Sequence, residues 1–155
     1  MILLRAALNW NFVLVTALCA SLLAQLIKVL LNLFIFHRFI AERMWGAGGM
    51  PSSHSATVCA MVVATGRFCG MTSPQFAIAA VLSIIVMYDA MGVRYETGEQ
   101  AKMLNRLFNE WVDQGTSSFP FLGGKKLKEM VGHTPIEVVT GAILGIVLGF
   151  AMPMP

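Results

Sequence analysis

Four apolar segments separated by polar stretches predict that the chain folds as a bundle of membrane-spanning helices. They cover about residues 10–36, 55–68, 75–92 and 135–152. A helix that crosses a bilayer needs roughly 20 apolar residues. The second segment is short for this purpose, and we expect its ends to lie within protein or at the membrane interface.

The polar stretch between the third and fourth segments, about residues 93–134, predicts an amphipathic helix in its first half. From Glu96 to Gln114, apolar residues recur at steps of three and four positions, which is the helical period. They are Ala101, Leu104, Leu107, Phe108 and Trp111. Such a helix lies either on the membrane surface or against a second subunit, and the sequence favours neither.

Glycines recur at intervals of four in the fourth segment, at Gly141, Gly145 and Gly149. This spacing lines one helix face with glycine and allows close contact between helices in a membrane, so we expect a packing role. The segments together predict an all-α integral membrane bundle. It has about four transmembrane helices and one amphipathic interfacial helix.

The composition supports a membrane protein and excludes several other classes. Hydrophobic residues make up 57% of the chain and charged residues only 12%, whereas soluble domains have about a quarter charged residues. We expect residues 1–155 to form one membrane-embedded domain. The net charge of +3 is too modest to indicate a nucleic-acid partner. The three cysteines lie in or beside apolar segments and have neither a disulfide framework nor a metal-binding spacing.

A polar turn, residues 48–55, separates the first two apolar segments and carries the first candidate site. Three hydroxyls and one imidazole occupy four consecutive positions, Ser52 to Ser55. A turn that only connects two helices requires glycine and proline but not these groups. Free backbone N–H groups and hydroxyls at the start of a helix can together bind an anion. A capping role is the alternative for His54.

A second histidine, His133, stands at the entry to the fourth segment, with Glu137 one helical turn further on. A carboxylate at that distance can accept the Nδ1 proton and leave Nε2 free as a nucleophile. The alternative is an acidic residue that interacts favourably with the helix dipole beside a capping histidine.

Alternating spans bring the polar residues to one face of the membrane. Lys28, the polar turn, Asp89 with Arg94, and His133 all fall on that face. Lys28 lies deep enough to be costly unless it pairs, faces a cavity or extends to the interface. We expect Asp89 to pair with Lys28 or Arg94. Eight basic residues lie on this face and two on the other, so the positive-inside rule predicts a cytoplasmic site and both termini on the opposite side.

Pro51-Ser52-Ser53-His54 resembles the Pro-Ser-Gly-His motif of the superfamily that joins type 2 phosphatidic acid phosphatases and vanadium haloperoxidases. The wider strings Gly-Gly-Met-Pro-Ser-Ser-His-Ser-Ala, Tyr-Asp-Ala-Met-Gly-Val-Arg and Gly-His-Thr-Pro-Ile-Glu-Val resemble its short, divergent bacterial and plastid branch. The resemblance spans about residues 28–145. It implies a bacterial inner membrane or a plastid membrane as the location.

The resemblance also implies roles for individual residues. His54 is the general acid, His133 attacks phosphorus, and Glu137 takes the position of the usual aspartate. The residues expected to bind phosphate are Lys28, Arg38, Ser52 and the backbone N–H of Ser53. The arginine of the third motif is missing, because Lys126-Leu127 occupies its place. We expect Arg94 to supply the guanidinium, with Asp89 as possible support. No metal or other cofactor is expected, since Lys and Arg supply the charge.

The expected function is hydrolysis of a lipid phosphomonoester or diphosphate through a phosphohistidine. A cytoplasmic site favours phosphatidylglycerophosphate or phosphatidic acid. The alternatives are a polyprenyl diphosphate phosphatase, or a non-enzymatic protein that binds or transports lipid phosphates. The expected partners are the lipid phosphate and the bilayer. The sequence leaves open whether the chain forms a homo-oligomer.

Overall fold

A computed structural model describes residues 2–36, 49–113, 127 and 132–155, and all regular structure in these ranges is α-helical. The elements are α1 (Ile2–Phe36), α2 (Ser53–Cys69), α3 (Pro74–Met91), α4 (Val93–Asp113) and α5 (Pro135–Ala151). No strand occurs in the described part of the chain. The predicted all-α class is therefore confirmed.

α2 lies at the centre of the bundle and packs against α1, α3 and α5. Small residues form the middle of the contact between α1 and α2, since Ala20, Ala24, Ala56 and Ala60 are all fully buried. Large apolar side chains point outward instead, for example Leu22 on α1 and Ile84 on α3. Small residues inside and large apolar residues outside are typical of helices that pack within a bilayer.

Two helical stretches are long and apolar enough to cross a membrane, Asn9–Phe34 and Pro74–Glu110. The second stretch runs from α3 into α4. α5 is apolar but shorter. The described helices are thus consistent with a membrane protein, while the number of four spans stays a prediction. The first span has a defined start, because Asn11 is non-helical and its Oδ1 accepts a hydrogen bond from the backbone N–H of Leu14.

The glycine face of α5 lies directly on the backbone of α2. A Cβ atom at Gly141 would collide with the carbonyl oxygen of Ser52, and one at Gly145 with that of Ala56. The predicted close contact between helices is therefore confirmed. At the far end of both helices, Nη1 of Arg67 on α2 donates to the carbonyl oxygens of Gly149, Phe150 and Met152.

The apolar residues of the predicted amphipathic pattern are divided between two faces of α4. Ala101 is buried beside Gly98 and Asn105, whereas Leu104 and Leu107 are exposed, which leaves both predicted uses of the helix, on the membrane surface or against a second subunit, open. Small and polar residues face the protein and the larger apolar residues face outward, as on the other helices. The side chain of Trp111 lies outside the described residues.

Replacing Gly145 by leucine is expected to force α2 and α5 apart, because a side chain has no room beside the carbonyl of Ala56. Overpacking typically costs about 1–3 kcal/mol, so the melting temperature of the purified protein in detergent should fall by several degrees. Val147→Leu changes an outward-facing position of the same helix and should melt like the wild type. An unchanged melting temperature for Gly145→Leu would contradict this packing.

Candidate active site

The carboxylate of Glu137 joins the two halves of the candidate site. Its Oε2 accepts hydrogen bonds from Nδ1 of His133 (3.1 Å) and the backbone N–H of Thr134 (3.1 Å). Its Oε1 accepts from the backbone N–H of Gly49 (3.2 Å), 88 residues away in the sequence. The carbonyl oxygen of Glu137 accepts from the backbone N–H of Ser52 (2.9 Å). One residue therefore holds the polar turn against the start of α5.

His133 is buried and has a fixed orientation. A carboxylate next to Nδ1 requires the proton on that nitrogen, so the neutral ring has its lone pair on Nε2. Nε2 is buried and has no hydrogen-bond partner among the described residues. The backbone N–H of His133 donates to the carbonyl of Ala90 at the end of α3 (3.0 Å). The contact with Glu137 that the sequence predicts is present, and the imidazole is oriented as a nucleophile would need.

His54 lies beside His133, on the first turn of α2. The centroids of the two rings are 5.8 Å apart and the rings meet edge to face. Unlike His133, His54 is exposed. Both histidines line a cleft whose other walls come mainly from α3 and the start of α4, namely Val86, Asp89, Ala90, Arg94 and Gly132. The cleft thus combines one buried imidazole with one accessible imidazole.

Arg94 and Asp89 form an ion pair in the same cleft, with 2.6 Å between Nε and Oδ2. About half of the arginine side chain is exposed. The bond uses only Nε, which leaves the two terminal guanidinium nitrogens for other partners. Arg94 therefore lies where the sequence predicts, and Asp89 pairs with Arg94 rather than with Lys28.

Lys28 points into the protein rather than to the membrane interface. It is only 2% exposed, and its aliphatic chain packs under Gly49, where a Cβ atom would lie 3.3 Å from its Cδ. Gly49 has a φ of +90°, a backbone conformation that favours glycine. Lys28 also interacts electrostatically with Glu137 and His54. Its inward orientation brings the positive charge to the site.

The remaining predicted phosphate ligands are Ser52, Ser53 and Arg38, and the hydroxyls of the two serines have different hydrogen-bond partners. The hydroxyl of Ser52 is fully buried and caps α2, accepting from the backbone N–H (3.4 Å) and Oγ (3.1 Å) of Ser55. The hydroxyl of Ser53 accepts from Nε2 of Gln25 (3.4 Å). Neither serine is among the residues that line the cleft. Arg38 lies outside the described residues.

Gly132 is a site residue to which sequence reasoning assigned no role. It has a φ of +91°, and a Cβ atom there would collide with the backbone of Arg94 and Tyr95. Gly132 therefore lets the turn before His133 reach the junction of α3 and α4. The signals in the sequence are its position directly before a candidate catalytic histidine and its place at the start of the string Gly-His-Thr-Pro-Ile-Glu-Val.

Comparison with known proteins gives one family and one relative. Residues 9–148 match the family described as the divergent PAP2 family. A protein of Bacillus subtilis (strain 168) with the name "Uncharacterized membrane protein YuiD" is 41% identical over 145 residues, covering 89% of this chain and 91% of that protein. No solved structure matches the chain.

Replacing Glu137 by glutamine is expected to loosen the polar turn. Glutamine has one acceptor oxygen and one NH₂ group. The NH₂ group must therefore face either the N–H of Gly49 or the N–H groups of His133 and Thr134. The hydrogen bond lost in this way contributes about 0.5–1.5 kcal/mol. Hydrogen–deuterium exchange at Gly49 or at Thr134 should accelerate and the melting temperature should fall. Glu110→Gln, at an exposed position of α4, is the matched control. If Glu137→Gln shows wild-type exchange at the amides of Gly49 and Thr134, Glu137 does not hold the polar turn against the start of α5.

Proposed function

Because the chain belongs to the divergent PAP2 family, we propose that it is a membrane lipid-phosphate phosphatase that acts through a phosphohistidine on His133. The proposal rests on the hydrogen bonding of the two ring nitrogens of His133. Its Nδ1 is bonded to Glu137, while its buried Nε2 has no partner among the described residues and the ring lines the cleft. An oriented nucleophile beside a second histidine suits group transfer, which binding alone would not require.

In the first step, Nε2 of His133 attacks phosphorus, and the bond from phosphorus to the lipid oxygen breaks. The imidazole becomes positively charged as the P–N bond forms, and the carboxylate of Glu137 stabilises that charge. His54 donates a proton to the departing oxygen, so the lipid leaves as an alcohol. The exposed position of His54 next to the buried His133 suits this role.

In the second step, water hydrolyses the phosphohistidine. His54, now neutral, takes a proton from the water molecule while the water oxygen attacks phosphorus. The P–N bond breaks, inorganic phosphate leaves, and both histidines return to their starting states. The same two side chains therefore serve both steps, with His54 alternating between acid and base.

Charge stabilisation comes from the cations around the cleft. Phosphoryl transfer depends mainly on positioning and on neutralising the oxygens of the transferred group. The free guanidinium nitrogens of Arg94 suit two-point contact with phosphate, and Lys28 adds a buried positive charge. Arg38 and the backbone N–H groups at the start of α2 are further candidates, while the partners of the Ser52 hydroxyl favour a capping role.

The favoured substrate is a lipid phosphomonoester, such as phosphatidylglycerophosphate or phosphatidic acid. We propose four spans in one domain, with the site in the cytoplasm and both termini on the other side. This orientation rests on the eight basic residues on the site face. A polyprenyl diphosphate on the outer face is the alternative substrate. A lipid-phosphate binding or transport protein would use the same cations without turnover.

Purified protein in detergent is expected to release phosphate from a lipid phosphate in the presence of EDTA, and vanadate should inhibit the release. His133→Ala should abolish turnover, and His54→Ala should lower it by about 10²–10⁴-fold, the usual contribution of a general acid. Thr97→Ala is a suitable control, because that exposed hydroxyl bonds only to its own helix. Release by His133→Ala at the wild-type rate would exclude the mechanism. Lipid-phosphate binding without turnover would indicate the binding protein.

Arg94→Ala is expected to lower kcat/KM by about 10²–10³-fold, comparable to the loss of one donor to a transition-state oxygen. Asp89→Asn should have a smaller effect, because Asp89 acts through Arg94. Arg106→Ala removes an exposed arginine from α4 and serves as the matched control. Equal losses for Arg94→Ala and Arg106→Ala would assign the effect to overall charge and not to the cleft.

A further inference from the structure

A second group of hydrogen bonds, away from the cleft, holds Leu127, which precedes His133 by six positions. Nδ2 of Asn105 on α4 donates to the carbonyl oxygen of Leu127 (2.9 Å), and Oδ1 accepts from the backbone N–H of Leu127 (3.0 Å). The two residues are 22 positions apart. One side-chain amide therefore pairs with both backbone groups of one residue, as a neighbouring strand would.

The environment of Asn105 indicates that this pairing is specific. Asn105 is 5% exposed and lies on the inward face of α4 with Ala101. A buried amide that satisfies a backbone N–H and a carbonyl together cannot be replaced by an apolar residue without leaving both groups unpaired. Asparagine is also a poorer helix former than alanine, so helix formation alone gives no reason for it at this position.

Two further contacts hold Gly132 and His133. Gly132 packs on the backbone at the start of α4, at Arg94 and Tyr95. The backbone N–H of His133 donates to Ala90 at the end of α3. α4 therefore contacts the chain both at Leu127 and at Gly132, directly before His133.

We propose that Asn105 is a positioning residue for His133, acting through Leu127. The inference rests on the proposed function, in which His133 attacks phosphorus. A nucleophile must stay close to its attack geometry, and a displacement of about 1 Å can cost about 10²-fold in rate. Without the Asn105 bonds, Leu127 is released from α4. The contacts of Gly132 and His133 then hold the histidine without this support, so its backbone can shift relative to His54 and Arg94.

The test compares Asn105→Ala with Asn109→Ala, which removes an exposed amide one turn further along α4. Asn105→Ala should lower kcat by about 10–100-fold with KM within about twofold of wild type, since the substrate contacts remain. Asn109→Ala should match the wild type. Asn105→Asp keeps the acceptor for the Leu127 N–H and loses the donor, so its kcat should be intermediate. If Asn105→Ala does not fold, Asn105→Asp takes its place in the comparison with Asn109→Ala.

Hydrogen–deuterium exchange gives a readout that does not depend on turnover. In Asn105→Ala, exchange should accelerate in peptides covering residues 127–134 and stay unchanged in α1 and α2. Unchanged exchange at 127–134, or faster exchange with wild-type kcat, would overturn the proposal. If the wild type releases phosphate from no lipid, the proposed function and the positioning role both fail. The exchange data then still show whether Asn105 holds Leu127 against α4.

Discussion

The site depends on one partly buried carboxylate, that of Glu137, and on the N–H groups that surround it. A carboxylate inside an apolar bundle is costly unless hydrogen bonds compensate its charge. Glu137 receives such bonds from Gly49, Thr134 and His133, so the carboxylate, the polar turn and His133 stabilise one another. The group that orients the proposed nucleophile is therefore also the group that joins distant parts of the chain.

Close packing of small residues makes this arrangement possible. In a bilayer, helices gain little from the hydrophobic effect, and contact depends on van der Waals packing and hydrogen bonds. The glycine face of α5 brings its backbone onto α2, so that the carbonyl of Glu137 reaches the N–H of Ser52. With Gly141 and Gly145 replaced by larger residues, the two candidate catalytic histidines would lie on separated helices. The packing and the chemistry thus depend on the same residues.

Short-range patterns predicted much of the fold and part of the site. The four-residue glycine spacing predicted the contact between α2 and α5, and the four-residue step from His133 to Glu137 predicted their hydrogen bond. The amphipathic pattern of α4 could not identify the face that packs inside the protein, because Gly98 and Asn105 on that face carry no apolar signal. The sequence also could not predict the pairing of Asn105 with Leu127, because a side chain that bonds to a distant backbone leaves no periodic signal.

The contacts at both ends of α2 and α5 have a mechanical consequence. Glu137 and Ser52 fasten one end, and Arg67 fastens the other to the carbonyls at the end of α5. Because the backbones are in direct contact between these points, sliding or separation of the two helices requires these hydrogen bonds to break. The opposite wall of the cleft comes from α3, which packs mainly on α2 and less on α5, and from the start of α4, which carries Arg94 and packs on α3. In the proposed function, the cleft would therefore widen for a head group by movement of α3 and the start of α4, and this movement would carry the guanidinium of Arg94 with it.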